Sequence, residues 1–339
     1  MQSEAIFLVK KGASRDAFEK RNILLPELKA GEVLIKSEAF GLNYADVMAR
    51  NGLYRDAPPM PCVIGYEVVG EIVSVGPNGA LELIGKRVLA FCRFGGYGRH
   101  VITTALAILL IDDLPSAELL ALSTQGATAY YMTDILAPIQ KGDRVLVHAA
   151  AGGVGSLLVQ LAKRRGATVI AKVGSSQKET LSKELGADFT INYKENDYFE
   201  ILKKQPKIDV SFNPVGGSTF SKDMKLMNSG GKLFLFGGSE LSGGRYGFLS
   251  SLNFLRKMGL VVPAILMMGS RSILGVNMLK IADQKPQVMH DCLAALMELY
   301  RKDEIKICVG KVYDVKDIAL AHDYLESGAS MGKLSITWD

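Results

Sequence analysis

The chain has few residues of the kinds that staple or ligate. Among 339 residues there are 4 cysteines and 4 histidines. Cys62, Cys92, Cys292 and Cys308 form no C-x-x-C pair, and none has a histidine at ligand spacing. That pattern excludes the signature of a structural zinc lobe, and scattered thiols suit a reducing compartment. Charge of one sign is scarce as well, with 40 Lys+Arg against 35 Asp+Glu. The cations form no block and no aromatic-basic stripe, so nucleic acid is not expected as a partner. Long hydrophobic runs are missing. The longest, Gly259 to Met268, is too short to span a bilayer and contains Pro263, so it is read as a core or interface segment. The first residues, from Met1 to Ala5, carry no basic n-region or cleavage pattern, and a cytoplasmic location is expected.

What is abundant is glycine. Its 35 copies are about half again the ordinary usage, which asks where tight turns or close backbone approaches are needed. The length suggests two domains, large enough to bury a core without staples.

Three regions differ in rhythm. Up to residue 122, short alternating runs such as Glu32 to Phe40, Tyr66 to Gly76 and Lys86 to Phe91 predict a twisted β-rich unit. From there the pattern alternates. Arg144 to His148 reads as a buried strand. Val154, Leu157, Leu158 and Leu161 then mark one face of a helix ending at Arg165. Strands over 167–173, 189–193, 209–213 and 231–237 follow, separated by helices near 178–185, 197–204 and 220–227, with a last strand at 272–276. Such alternation predicts a parallel, doubly wound sheet. The tail carries a helix over 287–301, a strand near 305–313, a helix near 317–326 and a strand over 333–338. Its strands resemble the N-terminal style. The expected organisation is a β-rich domain from 1–122 and 285–339 around a dinucleotide-binding domain at 123–284.

The main chemical signal is HAAAGGVG, His148 to Gly155, between a strand and a helix. Ala150, Gly152 and Gly155 take the three positions of the dinucleotide fingerprint. Ala151, Gly152, Gly153, Val154 and Gly155 are the residues expected to meet a pyrophosphate, at a helix N-terminus whose free N–H groups favour anions. The plainer reading is a glycine-rich turn without a ligand. An NAD site needs an acid about 20 residues further on. The segment Lys172 to Lys178 has none; Ser175, Ser176 and Lys178 stand there instead. Hydroxyls and an ammonium suit a 2′-phosphate, so NADPH is the expected cofactor. The same residues also read as a cap, with Ser176 as N-cap and Glu179 as its partner.

Five further stretches are GLNYADVMARNGLY (Gly41 to Tyr54), IGYEVVGEIVSVG (Ile64 to Gly76), GATAYYM (Gly126 to Met132), GDRVLVHAAAGGVG (Gly142 to Gly155) and MGKLSI (Met331 to Ile336). Together and in this order they resemble the zinc-free quinone-oxidoreductase branch of the medium-chain dehydrogenase/reductases. The first stretch and the region from Phe248 to Gly275 are most similar to its vesicle amine transport protein subgroup. The resemblance implies a GroES-like catalytic domain beside a Rossmann domain, and a homodimer pairing Rossmann sheet edges, here near Ser272 to Val276.

Zinc-containing relatives carry a Cys and a His-Glu pair. Here Asn43 stands in the Cys position and Tyr66 in the His position, beside Glu67. Amides and phenols are poor Zn²⁺ ligands, so no metal is expected. The resemblance then implies a zinc-independent NADPH:quinone or enone oxidoreductase. Asn43 and Tyr54, with Tyr66 as a further candidate, would hydrogen-bond the developing oxyanion. It also places Thr128, Phe236 and Gly237 near the nicotinamide and Tyr193 beside the adenosine phosphate. Asn213 replaces the Asp usual at the end of the fourth strand. Two other readings stay open: a non-catalytic nucleotide-sensing or membrane-associated binding protein, suggested by the basic-apolar stretch Arg245 to Arg271, and an enoyl-thioester reductase.

Overall fold

The computed structural model describes residues 1–111, 113–241 and 248–338. In chain order the first elements are β1 (Gln2–Leu8), α1 (Ser14–Ala17), β2 (Phe18–Leu24), β3 (Glu32–Leu42), α2 (Tyr44–Arg50), β4 (Glu67–Val75), β5 (Arg87–Phe91), β6 (His100–Thr104), β7 (Ile108–Leu110), α3 (Ser116–Ala121) and α4 (Ala127–Tyr130). The middle of the chain gives β8 (Arg144–His148), α5 (Gly153–Arg164), β9 (Thr168–Val173), α6 (Ser176–Glu184), β10 (Phe189–Asn192), α7 (Tyr198–Leu202), β11 (Ile208–Asn213), α8 (Ser218–Leu226) and β12 (Met227–Leu235). Then come α9 (Phe248–Met258), α10 (Pro263–Gly269), β13 (Ser272–Gly275), α11 (Met278–Gln284), α12 (Pro286–Arg301), β14 (Val309–Asp314), α13 (Ile318–Glu326) and β15 (Lys333–Thr337).

The chain divides into two compact units, one of residues 1–127, 278–298 and 307–339, the other of residues 128–277 and 299–306. In the first, a seven-stranded sheet runs β14-β15-β3-β4-β5-β7, with β6 also pairing β3, and β1 and β2 form a separate ribbon. The C-terminal strand β15 lies antiparallel to β3, with Leu334 opposite Leu42. The long strand β3 buries Val33 to Ile35, alternates through Lys36, Ser37 and Glu38, and then buries both faces from Ala39 to Leu42. Its residues Val33, Ile35, Phe40 and Leu42 pack with Ile64, Val68, Tyr97 and Trp338 in one apolar core.

The second unit holds a six-stranded parallel sheet in the order β10-β9-β8-β11-β12-β13. The order reverses between β8 and β11, which opens a crevice at the carboxyl ends of those strands. Both strands carry fully buried residues, Val145 to Val147 and Val210 to Phe212, as a sheet covered on two faces requires. Leu157, Leu158 and Leu161 of α5 are buried, and the helix closes with Lys163 and Arg164 in its last turn. Leu146, Ile170, Tyr198, Phe220 and Leu233 belong to one core cluster of the same unit.

Two sequence expectations change. The cap of α6 is Ser175, whose Oγ accepts the Lys178 N–H at 3.4 Å; Ser176 is the first helical residue. The apolar run of 259–268 is not core. Leu260 is 94% exposed and Met268 83%. The window Leu252–Gly269 has a mean hydropathy of 1.3 with none of it buried. It is not one rod: α9 ends at Met258 and Pro263 begins α10. Arg245, at the start of the basic-apolar stretch, lies outside the described residues.

Candidate active site and dinucleotide loop

In the Rossmann unit, β8 delivers the chain into a turn at Ala149, whose φ of 51° is left-handed and costly for a residue with a Cβ. The turn places Gly152 at the N-cap of α5 without a side-chain cap, so the first N–H groups of the helix keep their anion-binding capacity. A Cβ on Gly155 would collide with the Ala149 carbonyl and the Ala150 backbone. A Cβ on Gly152 would meet only the Ala149 oxygen, at 3.2 Å. The two glycines therefore serve different ends: Gly155 lets the helix sit on the strand, and Gly152 keeps the loop surface bare.

At the end of β9, Gly174 lies under Tyr193, where a Cβ would stand 2.8 Å from the phenol oxygen. Tyr193 thus covers the turn just before Ser175, while its residue remains 51% exposed. Lys178 is held below its ordinary value by burial and by the neighbouring charge of Lys194. Tyr193 covers Gly174, Ser175 caps the turn at Lys178, and Lys194 adds a cation near Lys178 that the sequence reading did not single out. Phe236 follows β12 and donates its N–H to Asn213 O at 3.4 Å, and Gly237 packs on Pro214. Thr128 is buried in α4.

Behind the loop sits a buried polar cluster. Asp223 of α8 accepts bonds from Tyr198 Oη at 2.8 Å, Ser211 Oγ at 2.8 Å and Asn213 Nδ2 at 2.7 Å. His148 Nε2 lies 2.9 Å from the same carboxylate. Burial opposes the charge on Asp223, but His148 and the hydroxyl donors hold its pKa below the usual value. Burial lowers that of His148. Asn213 Oδ1 in turn accepts the Val215 and Gly216 N–H groups. The carboxylate missing at 213 is therefore supplied from a helix, ten positions along the chain.

In the GroES-like unit, Asn43 is the N-cap of α2, and its N–H donates to Asp46 at 2.8 Å. Its side chain is bound into a buried triad. Nδ2 donates to Glu67 Oε1 at 2.9 Å, and Lys333 Nζ donates to Asn43 Oδ1 at 3.1 Å. Lys333 also forms a short ion pair with Glu67, and the Thr124 N–H reaches Glu67 Oε2 at 2.7 Å. Glu67 and Lys333 are 0% and 1% exposed. Burial alone would raise the Glu67 carboxyl; Lys333 and Thr124 bring it below the ordinary value. Glu67 and Lys333 came from opposite ends of the chain, so sequence spacing gave no sign of their pairing.

Tyr54 and Tyr66 meet edge to face, with ring centroids 6.2 Å apart, and Phe94 lies 5.3 Å from Tyr66 on the other side. Phe94 holds a left-handed φ of 68°, backbone strain placed directly beside a candidate functional side chain. Among the described residues the buried Tyr66 hydroxyl makes no hydrogen bond of ordinary length, although the Tyr54 phenol lies close enough to act on it. Burial and the Asp56 charge push Tyr54 up to about 12, and burial with Asp46 pushes Tyr66 higher still. Both phenols keep their protons at neutral pH. Among the described residues no group of three or more His, Cys, Asp or Glu converges to hold a metal ion.

A doubly wound sheet with a glycine fingerprint in one unit, and a GroES-like sheet carrying a buried triad in the other, define a medium-chain oxidoreductase architecture. Residues 29–134 match the alcohol dehydrogenase GroES-like domain and residues 153–295 the zinc-binding dehydrogenase domain. The chain is 31% identical over 328 residues to the synaptic vesicle membrane protein VAT-1 homolog of Homo sapiens, covering 95% of this chain and 83% of that protein. Against the VAT-1 homolog of Danio rerio it is 30% identical over 316 residues and spans 65% of that protein's length. The crystal structure of Escherichia coli quinone oxidoreductase complexed with NADPH superposes with a TM-score of 0.84 at 26% identity, over 98% of this chain and 99% of that one. The chain belongs to the medium-chain dehydrogenase/reductase superfamily, in the quinone-oxidoreductase branch that includes the VAT-1 homologs.

Proposed function

We propose that this protein is an NADPH-dependent reductase of quinones or α,β-unsaturated carbonyls that works without zinc. The observation that carries the reading is the pair of features at the ends of β8 and β9. An uncapped helix N-terminus is open at the end of β8 and would meet one phosphate; Ser175, Lys178 and Tyr193, without an acid, lie around the turn after β9 and would meet the other. Ala151, Gly152, Gly153, Val154 and Gly155 would hold the pyrophosphate. Ser175, Ser176, Lys178 and Tyr193 would hold the adenosine phosphate, where a carboxylate would repel it. Thr128, Phe236 and Gly237 would orient the nicotinamide end. The bound nicotinamide supplies a hydride.

The donor set at 43 and 66 is an amide and a phenol, and the carboxylate between them, Glu67, is bound by Lys333. That chemistry suits hydrogen bonding to an acceptor rather than metal ligation. The Tyr66 hydroxyl is the strongest candidate. It is buried, makes no hydrogen bond of ordinary length among the described residues, and keeps its proton, so it can donate to an oxyanion developing on the acceptor at little reorganisation cost. Asn43 keeps one amide N–H beyond its bond to Glu67, and the triad fixes its orientation. Tyr54 braces Tyr66 edge-on. Because neither phenol ionises readily, the proton that completes reduction comes from solvent.

The test is NADPH consumption with an ortho-quinone acceptor, with NADH in parallel. Turnover with NADPH in clear preference supports the reading. Equal or better use of NADH overturns the cofactor assignment. Binding of NADPH with no turnover of quinones or enones overturns the catalytic one. We place the protein in the cytoplasm as a homodimer.

The exposed apolar run of α9 and α10 favours a second reading of that surface. Leu255, Leu260, Ile265 and Met268 are all more than half exposed, beside Arg256 and Lys257 and next to the edge strand β13. A bare patch of this kind marks a contact with another copy or with a lipid surface. Sedimentation equilibrium of the wild type and Met268→Glu, with co-sedimentation on anionic vesicles, separates the two.

A further inference from the structure

The Rossmann unit contains a polar cavity that shares only Tyr193 with the proposed cofactor contacts. Its volume is about 390 Å³, and Lys172, Tyr193, Lys194, Tyr198, Ser218 and Lys222 are among its lining residues. Lys172 projects from β9 on the Ile170 face of the sheet, which is the face that α7 and α8 cover. It is 8% exposed. Its ammonium makes one hydrogen bond among the described residues, to His148 Nδ1 at 3.2 Å. Its other close neighbours are aromatic faces, Tyr198 at 4.4 Å and Tyr193 at 5.0 Å. Lys222 stands over the same Tyr198 ring at 5.6 Å. An ammonium has three donors, so a nearly buried one with a single partner leaves hydrogen-bonding capacity directed at the cavity.

The charges around it are crowded. Burial, reinforced by Lys222, lowers Lys172 to about 8 against the pull of Asp223. Lys194 depresses Lys178 in the same way, and its own ammonium has no ion pair or hydrogen bond among the described residues. Two carboxylates also line the cavity, but both are committed. Asp197 binds Lys222 at 2.9 Å and caps α7 through the Phe199 N–H. Glu195 accepts from Asn192 Nδ2 at 2.7 Å. Asp223, Asp197 and Glu240 balance part of the Lys172 charge from a distance; what remains is the unused donor capacity of its ammonium, with Lys194 lining the same cavity.

We propose that this cavity is a phosphate-binding site, with Lys172 as its buried cation and Lys194 as its outer one. A phosphate monoester dianion would satisfy the idle ammonium donors and relieve the repulsion among the lysines, as charge-assisted bonds to phosphate do. Two sources share this chemistry: the adenosine phosphate of a dinucleotide held on the same unit, and a free phosphate. Only the first rests on the cofactor reading above.

The experiment is calorimetric titration of the full chain with inorganic phosphate at neutral pH, for wild type, Lys172→Met and Lys194→Met. Methionine preserves the length and apolar stem of lysine, and Lys194→Met, at an exposed position, guards against a folding defect at 172. Saturable binding weakened at least tenfold in both variants supports the site. No phosphate binding by wild type, or undiminished binding by Lys172→Met, overturns it. NADPH and NADH titrations then identify the source. If NADPH displaces phosphate, and Lys172→Met weakens NADPH but not NADH, the phosphate is the cofactor's. If NADPH and phosphate bind together, the site takes a free anion. A wild type that binds phosphate but no dinucleotide would sink the cofactor reading and leave this site standing.

Discussion

Asn213 Nδ2 donates to Asp223 Oδ2 at 2.7 Å, and both residues are 0% exposed. An amide thus sits where the family resemblance leads one to expect a carboxylate, and the carboxylate sits one hydrogen bond away on α8. The pair predicts an exchange experiment. Asp223→Asn removes the charge that faces His148 and Lys172, leaving Lys172 without the carboxylate that favours its cation most. We expect a stability loss of about 3 kcal/mol, typical of breaking a buried charge pair. Asn213→Asp together with Asp223→Asn returns a carboxylate to the cluster and should recover at least half of that loss in urea unfolding. If the double variant is no better than the single one, the exchange is not equivalent.

The loop glycines give a second prediction, because their surroundings differ. Gly155→Ala drives a methyl into the Ala149 carbonyl and the backbone of Ala150, which cannot move without separating helix from strand. It should lower stability by roughly 2 kcal/mol or more, as overpacking against backbone does. Gly152→Ala meets one oxygen at 3.2 Å and otherwise open space. It should change stability by less than about 1 kcal/mol and weaken NADPH binding at least tenfold. Thermal melts and fluorescence titration of the two variants check this. A Gly152→Ala protein that binds NADPH normally would remove the pyrophosphate from this loop.

A pH dependence follows from Asp46. Burial raises its carboxyl from the usual 3.8 to about 7, only partly offset by the Asn43 N–H and Lys333. A folded pKa above the unfolded one means that the group favours folding fully below about pH 4 and that this contribution is lost as pH rises through 7. Asp46→Asn stays neutral throughout and keeps an oxygen for the Asn43 N–H. Above pH 7 it should therefore be more stable than wild type, by on the order of 2–4 kcal/mol. The difference should close as pH falls toward 4. Melting temperatures across that range decide it, and a variant equally destabilised at every pH would mean that the ionised carboxylate is needed by the structure.

Much of this molecule is written locally. The strand, turn and helix of 144–164 were legible because one run of residues supplies the buried strand, the glycines and the apolar helix face. The same is true of the absent acid after β9. What was not legible depends on side chains brought together from afar. Glu67 meets Lys333 only because β15 returns to pair with β3. Asp223 meets Asn213 only through the start of α8, and the role of Lys172 depends on which face of β9 it takes. The cap of α6 shifted by one residue because Ser175 and Ser176 are chemically alike and only backbone geometry separates them. At 259–268 composition reports only apolarity, whereas exposure depends on what the rest of the fold leaves uncovered.

The candidate catalytic groups are separable by kinetics. Tyr66→Phe removes a buried hydroxyl that makes no hydrogen bond of ordinary length among the described residues, so it should cost the fold little. If that hydroxyl donates to the developing oxyanion, kcat should fall about 100-fold, the scale of losing one such donor, with KM for NADPH unchanged. Tyr54→Phe should have a smaller effect, since its ring still braces Tyr66 edge-on at 6.2 Å. Asn43→Ala should combine a loss of turnover with a loss of stability, because it also strips Glu67 and Lys333 of a hydrogen-bond partner inside the triad. The order expected in kcat is therefore Tyr54→Phe above Tyr66→Phe, with Asn43→Ala distinguished by its melting temperature. Full turnover in Tyr66→Phe would move the oxyanion contact to the Asn43 amide, and full turnover in both would place it outside these residues.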